Sequence, residues 1–266
     1  MVAAATLQNI LDQGLVSRIA GSHQEPAQAA CPTGIPAVDE ALPGGGLGLG
    51  MTHEWILEAG LGDWRPPLVL MTWLAGRAVC GGEGGLVVVI GRRCWPSVWM
   101  LGRVGVGLDL ARCVLVEPRD EGSRLWAIDQ SLRCPGVCAV LADASGLDMA
   151  GSRRLQLAAE SGGGLGLLAR APDEVKSLSA AATRWVVKPR VSDSKRVSWN
   201  VELRRCKAGS LWSAARAGSV REWVLEWRES WLGGGGWVEA ACETGGVRVA
   251  PDVVGGPREA AGRKTA

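Results

Sequence analysis

Neither tyrosine nor phenylalanine occurs in this chain, so all 13 of its aromatic residues are tryptophan. Tyrosine chemistry is excluded, and Trp alone is left to stack on a base or anchor a partner. Strong net charge is lacking too. The 29 Lys and Arg against 27 Asp and Glu leave a formal charge of +2, too mild for bulk electrostatics to mark a nucleic-acid binder, so any such contact must come from a local patch. Histidine is confined to His23 and His53, and the eight cysteines stand at irregular spacings without a CxxC. No zinc site is expected; the pattern is that of reduced, mostly buried thiols in a cytoplasmic protein. The opening MVAAATLQNILDQ has none of the basic start, long apolar centre and cleavage site of a signal peptide. The longest apolar runs, residues 68–75 and 86–90, fall short of the roughly 20 residues of a membrane span.

What is present suits one good-sized α/β domain with short extensions: 266 residues, 47% hydrophobic. Residues 2–20 carry Leu7, Ile10, Leu11, Leu15 and Ile19 at helical spacing, and 21–32 read as a linker. A short capped helix over 33–42 and a glycine-rich turn over 43–50 lead to a strand at 54–57. After a glycine-bearing loop (58–65) a helix opens on Pro66. Strands are expected at 86–90, 113–116, 137–142 and 165–169, separated by a helix at 97–104, a helix capped by Ser123, and one capped by Ser152 and stopped at 162–164. Residues 177–183 read as a short helix or turn. Segments 185–188 and 198–204 form a hairpin with a polar tip at 192–196, followed by one more strand at 221–227 and a tail expected to be disordered. Strands alternating with helices imply a mostly parallel, doubly wound sheet, and the hairpin implies an antiparallel edge.

Strand, glycine loop and helix over residues 53–80 are the layout of a phosphate-binding loop, in which the free amides of a helix N-terminus hold a phosphate. The chemistry is missing. A working loop ends GxxxxGK and Ser or Thr, the Lys reaching the β- and γ-phosphates and the hydroxyl holding Mg²⁺. Here the end reads Gly62, Asp63, Trp64, Arg65, Pro66, Pro67.

The order of segments resembles the RecA core. TGIPAVDEAL with its glycine turn and GMTHEWIL looks like the entry into the phosphate-loop strand, LVVVIG like the next strand, and VCAVLADAS like the Walker B strand with its terminal Asp143. Within that superfamily LPGGGLGLG, SRRLQLAAE with GGLGLLAR, and AATRW leading to WNVELRRCKAG are similar to the ImuA family, also called SulA-like. The resemblance implies a RecA-like three-layer sandwich over residues 31–210, flanked by an N-terminal helix and linker (1–30) and a C-terminal extension (211–266). It further implies a damage-induced, SOS-type mutagenesis cassette for translesion DNA synthesis. The expected partners are a Y-family-like polymerase homologue and a second replicative-type DNA polymerase, with RecA and single-stranded DNA as further candidates.

Carried over residue by residue, Arg65 takes the place of the loop Lys and Pro66 that of the Ser or Thr, while Glu58 and Asp63 put negative charge where a triphosphate needs positive. The run Ile90, Gly91, Arg92, Arg93 stands where RecA proteins place the Glu that polarises water. Asp143 survives, and its nearer use is to cap the following turn through Ser145. No catalytic residue is therefore expected. Gly60, Gly62, Arg65 and Asp143 remain as a degenerate nucleotide site, with no cofactor beyond weak ATP or Mg²⁺ binding. Two basic groups stand out for contact with DNA or a partner. Arg153 and Arg154 open a helix at the carboxyl edge of the sheet. Arg184, Lys188, Arg204, Arg205 and Lys207, with Arg190, Lys195 and Arg196, put eight cations among two dozen residues, Trp185 and Trp199 between them. The plainer alternative for both groups is solvated surface charge. The function implied is a non-catalytic adaptor. The competing class is a DNA-dependent ATPase or recombinase handling single strands, and the sequence offers nothing for the cell-division inhibitor that the family's second name suggests.

Overall fold

A computed structural model describes residues 29–58, 64–80, 85–97, 110–190, 198–207, 222–230 and 234–239. The expected helix at 2–20, most of the linker, nearly all of the helix at 97–104, the hairpin tip at 192–196, Gly60, Gly62 and the tail from 240 lie outside the described residues.

The chain first makes β1 (Ala30–Cys31), helix α1 (Pro36–Ala41) and β2 (Leu47–Gly48), with β1 antiparallel to β2. The expected linker thus ends before Ala30. The α1 N-cap is Ile35, whose side chain cannot cap; instead Asp39 reaches back to accept from the Thr33 amide and hydroxyl, both at 2.7 Å, and from the Gly34 amide at 3.1 Å. Nine strands then build one sheet: β3 (Met51–Leu57), β4 (Leu86–Ile90), β5 (Cys113–Val116), β6 (Val137–Asp143), β7 (Leu165–Arg170), β8 (Thr183–Arg190), β9 (Ser198–Cys206), β10 (Glu222–Ser230) and β11 (Gly234–Glu239). Their order is β11-β10-β9-β8-β3-β7-β6-β4-β5, antiparallel from β11 to β8 and parallel from β8 to β5. The mostly parallel core with an antiparallel edge is as the pattern implied, and the glycine-rich β11 is an addition to it.

Helix α2 (Leu68–Cys80) covers one face of the sheet, against β4, β6 and β7. Helices α3 (Glu121–Arg133) and α4 (Met149–Gly162) cover the other and pack on each other. Because side chains alternate along a strand, each parallel strand feeds both cores. Val87 and Val89 join the α2 side; Val88 and Ile90 join the α3/α4 side with Ile128, Leu132 and Leu155. Both helix starts differ from expectation. Asp120 caps α3 by accepting from the Ser123 amide at 2.7 Å, and Asp148 caps α4 by accepting from the Gly151 amide at 2.7 Å. Ser123 and Ser152 therefore lie inside the helices, at their starts: an Asp three residues before Ser123 and one four residues before Ser152 serve the orphan amides. Gly163, at φ 79°, ends α4 as the sequence suggested. The expected turn at 177–183 comes earlier, as a 3-10 helix at Pro172–Lys176.

The tryptophans explain themselves on the α2 side, where they do the packing that Phe and Tyr do elsewhere. Trp55 stacks on Trp185 with ring centroids 5.2 Å apart, Trp223 tilts against Trp185, and Trp227 meets Trp73 edge-on. Among the described residues no helix is long and apolar enough to cross a membrane.

Candidate functional site

The carboxyl edge of the parallel strands is where an α/β sheet ordinarily holds a ligand. There the end of β3 is occupied by its own chain: the Glu58 amide donates to Val187 O at 2.8 Å, and the Glu58 carboxylate takes Lys188 Nζ at 3.1 Å. Helix α2 begins at Leu68, two residues later than expected. Pro66 and Pro67 have no N–H to offer, and the Leu68 amide donates to Pro66 O at 2.8 Å. The first amides that would cradle a phosphate are thus absent or used. Arg65 is exposed beside them.

At the ends of β4 and β6 a second part of the edge is closed by charge. Gly91, at φ 88°, lets the Arg92–Cys94 turn come down on Asp143; a Cβ at Gly91 would stand 3.1 Å from that of Asp143. Asp143 is buried, and both its oxygens are occupied. Oδ1 accepts from the Ser145 amide at 3.0 Å and hydroxyl at 2.6 Å; Oδ2 faces Arg93 Nη1 at 3.3 Å and Arg124 Nη1 at 3.5 Å. The turn through Ser145 is the one the sequence suggested for Asp143, and Arg124 is the partner it missed. Arg93 also lies over the Trp64 ring, 5.2 Å from its centre. Nearby, the Cys94 thiol is pushed up by burial first and then by the Asp143 charge, so it is a neutral packing group. The open cleft outside, about 460 Å³, is lined by Arg92, Arg93, Arg119 and Arg124 against Glu117, Asp120, Glu121 and Asp143. Four cations face four carboxylates, which leaves no strong field for an anion.

Beneath α4 lies a charged group inside the sheet. The Glu54 carboxylate, fully buried, takes Arg170 Nη1 at 3.2 Å and the Ser179 hydroxyl at 2.8 Å on Oε1, and Arg184 Nε at 2.7 Å on Oε2. Arg170 continues to Leu147 O and Glu174; Arg184 continues to Val175 O and Ser177 O. This network pins residues 171–182 to the sheet. Arg184 therefore leaves the expected cation cluster for the interior, and Trp185 goes with it, 1% exposed. A charge within the apolar run of β3 was the sequence signal for this network, although nothing in local spacing names its partners.

The remaining predicted cations divide. Arg154, in the second turn of α4, pairs with buried Asp129 at 3.0 Å, and Arg133 pairs with the same carboxylate at 3.1 Å. Burial alone would raise the Asp129 pKa; the two guanidiniums overcome it and bring it down. Arg153 and Arg154 do not open α4, so the helix dipole hardly opposes them. Arg204 pairs with Glu202 at 2.9 Å. Arg205 opposes Arg184 while Leu203 opposes Trp185, so Arg204 is an extra residue, and this bulge turns Arg205 to the α4 side. There Arg205 Nη1 donates to Ser179 O and Lys207 Nζ to Ala180 O, both at 2.6 Å. Desolvation first, then Arg205 and Arg153, lower the Lys207 pKa against the pull of Glu54 and Glu160. Arg153, far in sequence from Arg205 and Lys207, thus shares one surface with them.

Three layers and a mostly parallel central sheet with an antiparallel edge define a RecA-like α/β protein. The crystal structure of the RadB recombinase superposes with a TM-score of 0.52 at 13% identity, covering 79% of this chain and 100% of that one. This likeness is one of fold. No family model matches the chain. Its sequence is 35% identical over 215 residues to Protein ImuA of Caulobacter vibrioides, in two strains, across 74% of this chain and 83% of that protein. The chain belongs to the ImuA family.

Proposed function

We propose that this protein is a non-catalytic RecA-like adaptor in damage-induced translesion DNA synthesis. In this reading it works beside a Y-family-like polymerase homologue and a second replicative-type polymerase, and turns over no ATP. The observation that supports it is the closure of Asp143 by Arg93, Arg124 and Ser145. A carboxylate meant to hold Mg²⁺ through water needs its oxygens open and its charge available. Here a cation stands where a water-polarising base would, and the charge is already compensated. The prolines at the head of α2 remove phosphate-binding amides as well.

The test is ATP turnover by purified protein with and without single-stranded DNA. The expected result is no hydrolysis above background in either case. Hydrolysis that Asp143→Ala abolishes would replace the adaptor with the DNA-dependent ATPase. Recovery of the two polymerases with the tagged protein from DNA-damaged cells, undiminished by Asp143→Ala, is the matching positive result.

A further inference from the structure

On the outer side of the α3/α4 layer, cations and bare apolar side chains stand together. Met149, Arg153 and Leu157 recur at every fourth residue of α4 and so form one stripe along it. Met149 is 43% and Leu157 49% exposed. Beside Arg153 are Arg205 and Lys207. Leu178, 76% exposed, immediately precedes the Ser179 whose carbonyl holds Arg205. The bulge at Arg204 is what brings Arg205 to this side at all; plain alternation would have sent it under α2.

The cations here are positioned without a direct salt bridge, although Glu54 and Glu160 pull on Lys207 from further off. Arg205 and Lys207 rest on consecutive backbone carbonyls, and the segment bearing those carbonyls is fixed from below by Glu54 and Arg184. Among the described residues the Arg153 guanidinium has no hydrogen bond or ion pair, and nearby Glu160 accepts from Gln156 at 3.1 Å. Lys207 loses proton affinity first to desolvation and then to Arg205 and Arg153, so the cations also raise one another's free energy. An anionic partner relieves this.

We propose that this face is the docking surface for an acidic amphipathic segment of a partner protein. Its carboxylates meet Arg153, Arg205 and Lys207, and its apolar side chains cover Met149, Leu157 and Leu178. A phosphate backbone would answer the cations but leave the three apolar side chains in water; a segment with both kinds of group answers both. The inference deepens the adaptor reading by giving the adaptor a surface and its partner a chemistry.

Fluorescence anisotropy of the full chain tests it, with three labelled probes: a designed helical peptide of Glu and Leu at amphipathic spacing, the same peptide with Ser for each Leu, and an oligothymidylate. The amphipathic peptide should bind about tenfold or more tighter than the other two, and Arg153→Glu and Leu157→Ser should each weaken it about tenfold. Both positions are exposed, so each variant keeps its fold, which circular dichroism verifies. The inference is overturned if oligothymidylate binds as well as the peptide, which would make the face a nucleic-acid surface. It is also overturned if no probe binds, if neither variant changes binding, or if sedimentation shows a dimer that Leu157→Ser dissolves, which would put a second copy on the face. ATP turnover measured on the same samples keeps the two readings apart: turnover overturns the adaptor and leaves the surface, whereas absent turnover with no peptide binding does the reverse.

Discussion

Replacing Glu54 by Gln should be among the costliest single-atom changes in this protein. The side chain is fully buried, with two guanidiniums and a hydroxyl at 2.7 to 3.2 Å. Gln keeps the volume but removes the charge and turns one acceptor into a donor aimed at another donor. Arg170 would retain Glu174 at 2.9 Å, but Arg184 would keep only neutral acceptors, among them the carbonyls of Val175 and Ser177. Breaking one partner out of a buried ion pair costs about 3–5 kcal/mol, and retention of Glu174 puts the expectation near the lower bound. Against a total stability of about 5–15 kcal/mol that is a large share. Urea unfolding should show a lower midpoint with an unchanged m-value. In an Arg184→Met background the same change should cost at least about 1 kcal/mol less, because the stranded cation is gone. Hydrogen exchange should quicken at Ala180 and Ala181, whose amides depend on Ser152 and Ser179. A loss below about 1 kcal/mol, or equal losses in the two backgrounds, would refute the network as the anchor of residues 171–182.

His53 is buried and held near pKa 4, against 6.5 when unfolded, because burial disfavours its charge. The unfolded chain binds the extra proton between those values, so stability should be complete above the unfolded pKa and fall as pH drops, by about 3 kcal/mol in all. Urea midpoints from neutral to mildly acid pH check this; His53→Asn should flatten the profile, and an unchanged slope in that variant would assign the loss elsewhere. A Cβ added at Gly162 would lie 2.0 Å from Leu132 O, so Gly162→Ala should cost about 1–3 kcal/mol by forcing α4 from the end of α3, read as a drop in melting temperature. Asp129→Asn should cost about 1–2 kcal/mol, since Arg133 and Arg154 are half-exposed and keep their hydration. If Arg154→Ala instead weakens partner binding without touching stability, its pairing with Asp129 is incidental.

The strands of the parallel core were legible because burial on both faces writes them as continuous apolar runs, as in β4, which falls on the expected residues; β5 does so too, although as the edge strand it leaves Val114 and Leu115 half-exposed. Helix starts were less so, since both Asp and Ser can cap and spacing alone does not choose between Asp120 and Ser123. The charge-bearing sites were legible as residue types but not as pairings. Asp143 with Ser145 is a local turn and could be read; Asp143 with Arg93 and Arg124 joins three separate elements. The cluster at 184–207 was misleading for a related reason. Side-chain alternation and one bulge put Arg184 and Arg205 on the same face, where Arg184 is buried on Glu54 and Arg205 reaches Ser179 O, and neither fact shows in a count of cations. The same holds for Trp185, whose place between basic residues suggested stacking on a base and whose alternation puts it against Trp55.

What sorts these cations in the folded chain is the kind of partner each one has. Arg154, Arg184, Lys188 and Arg204 each meet a carboxylate of this protein, as do Arg93 and Arg124 at the closed edge. Their charge is answered from within, and what they contribute is position. Arg205 and Lys207 are held on neutral carbonyls, and the Arg153 guanidinium has no hydrogen bond or ion pair among the described residues. A carbonyl fixes a cation's direction but leaves its net charge in place, so the field of these three extends outward into solvent. Closing the ends of β4 and β6 with Arg93 and Arg124 has a corresponding effect on Asp143: its buried charge is compensated from within the protein. On the reading proposed above, the sheet then serves as a rigid support for the cations on the face of α4.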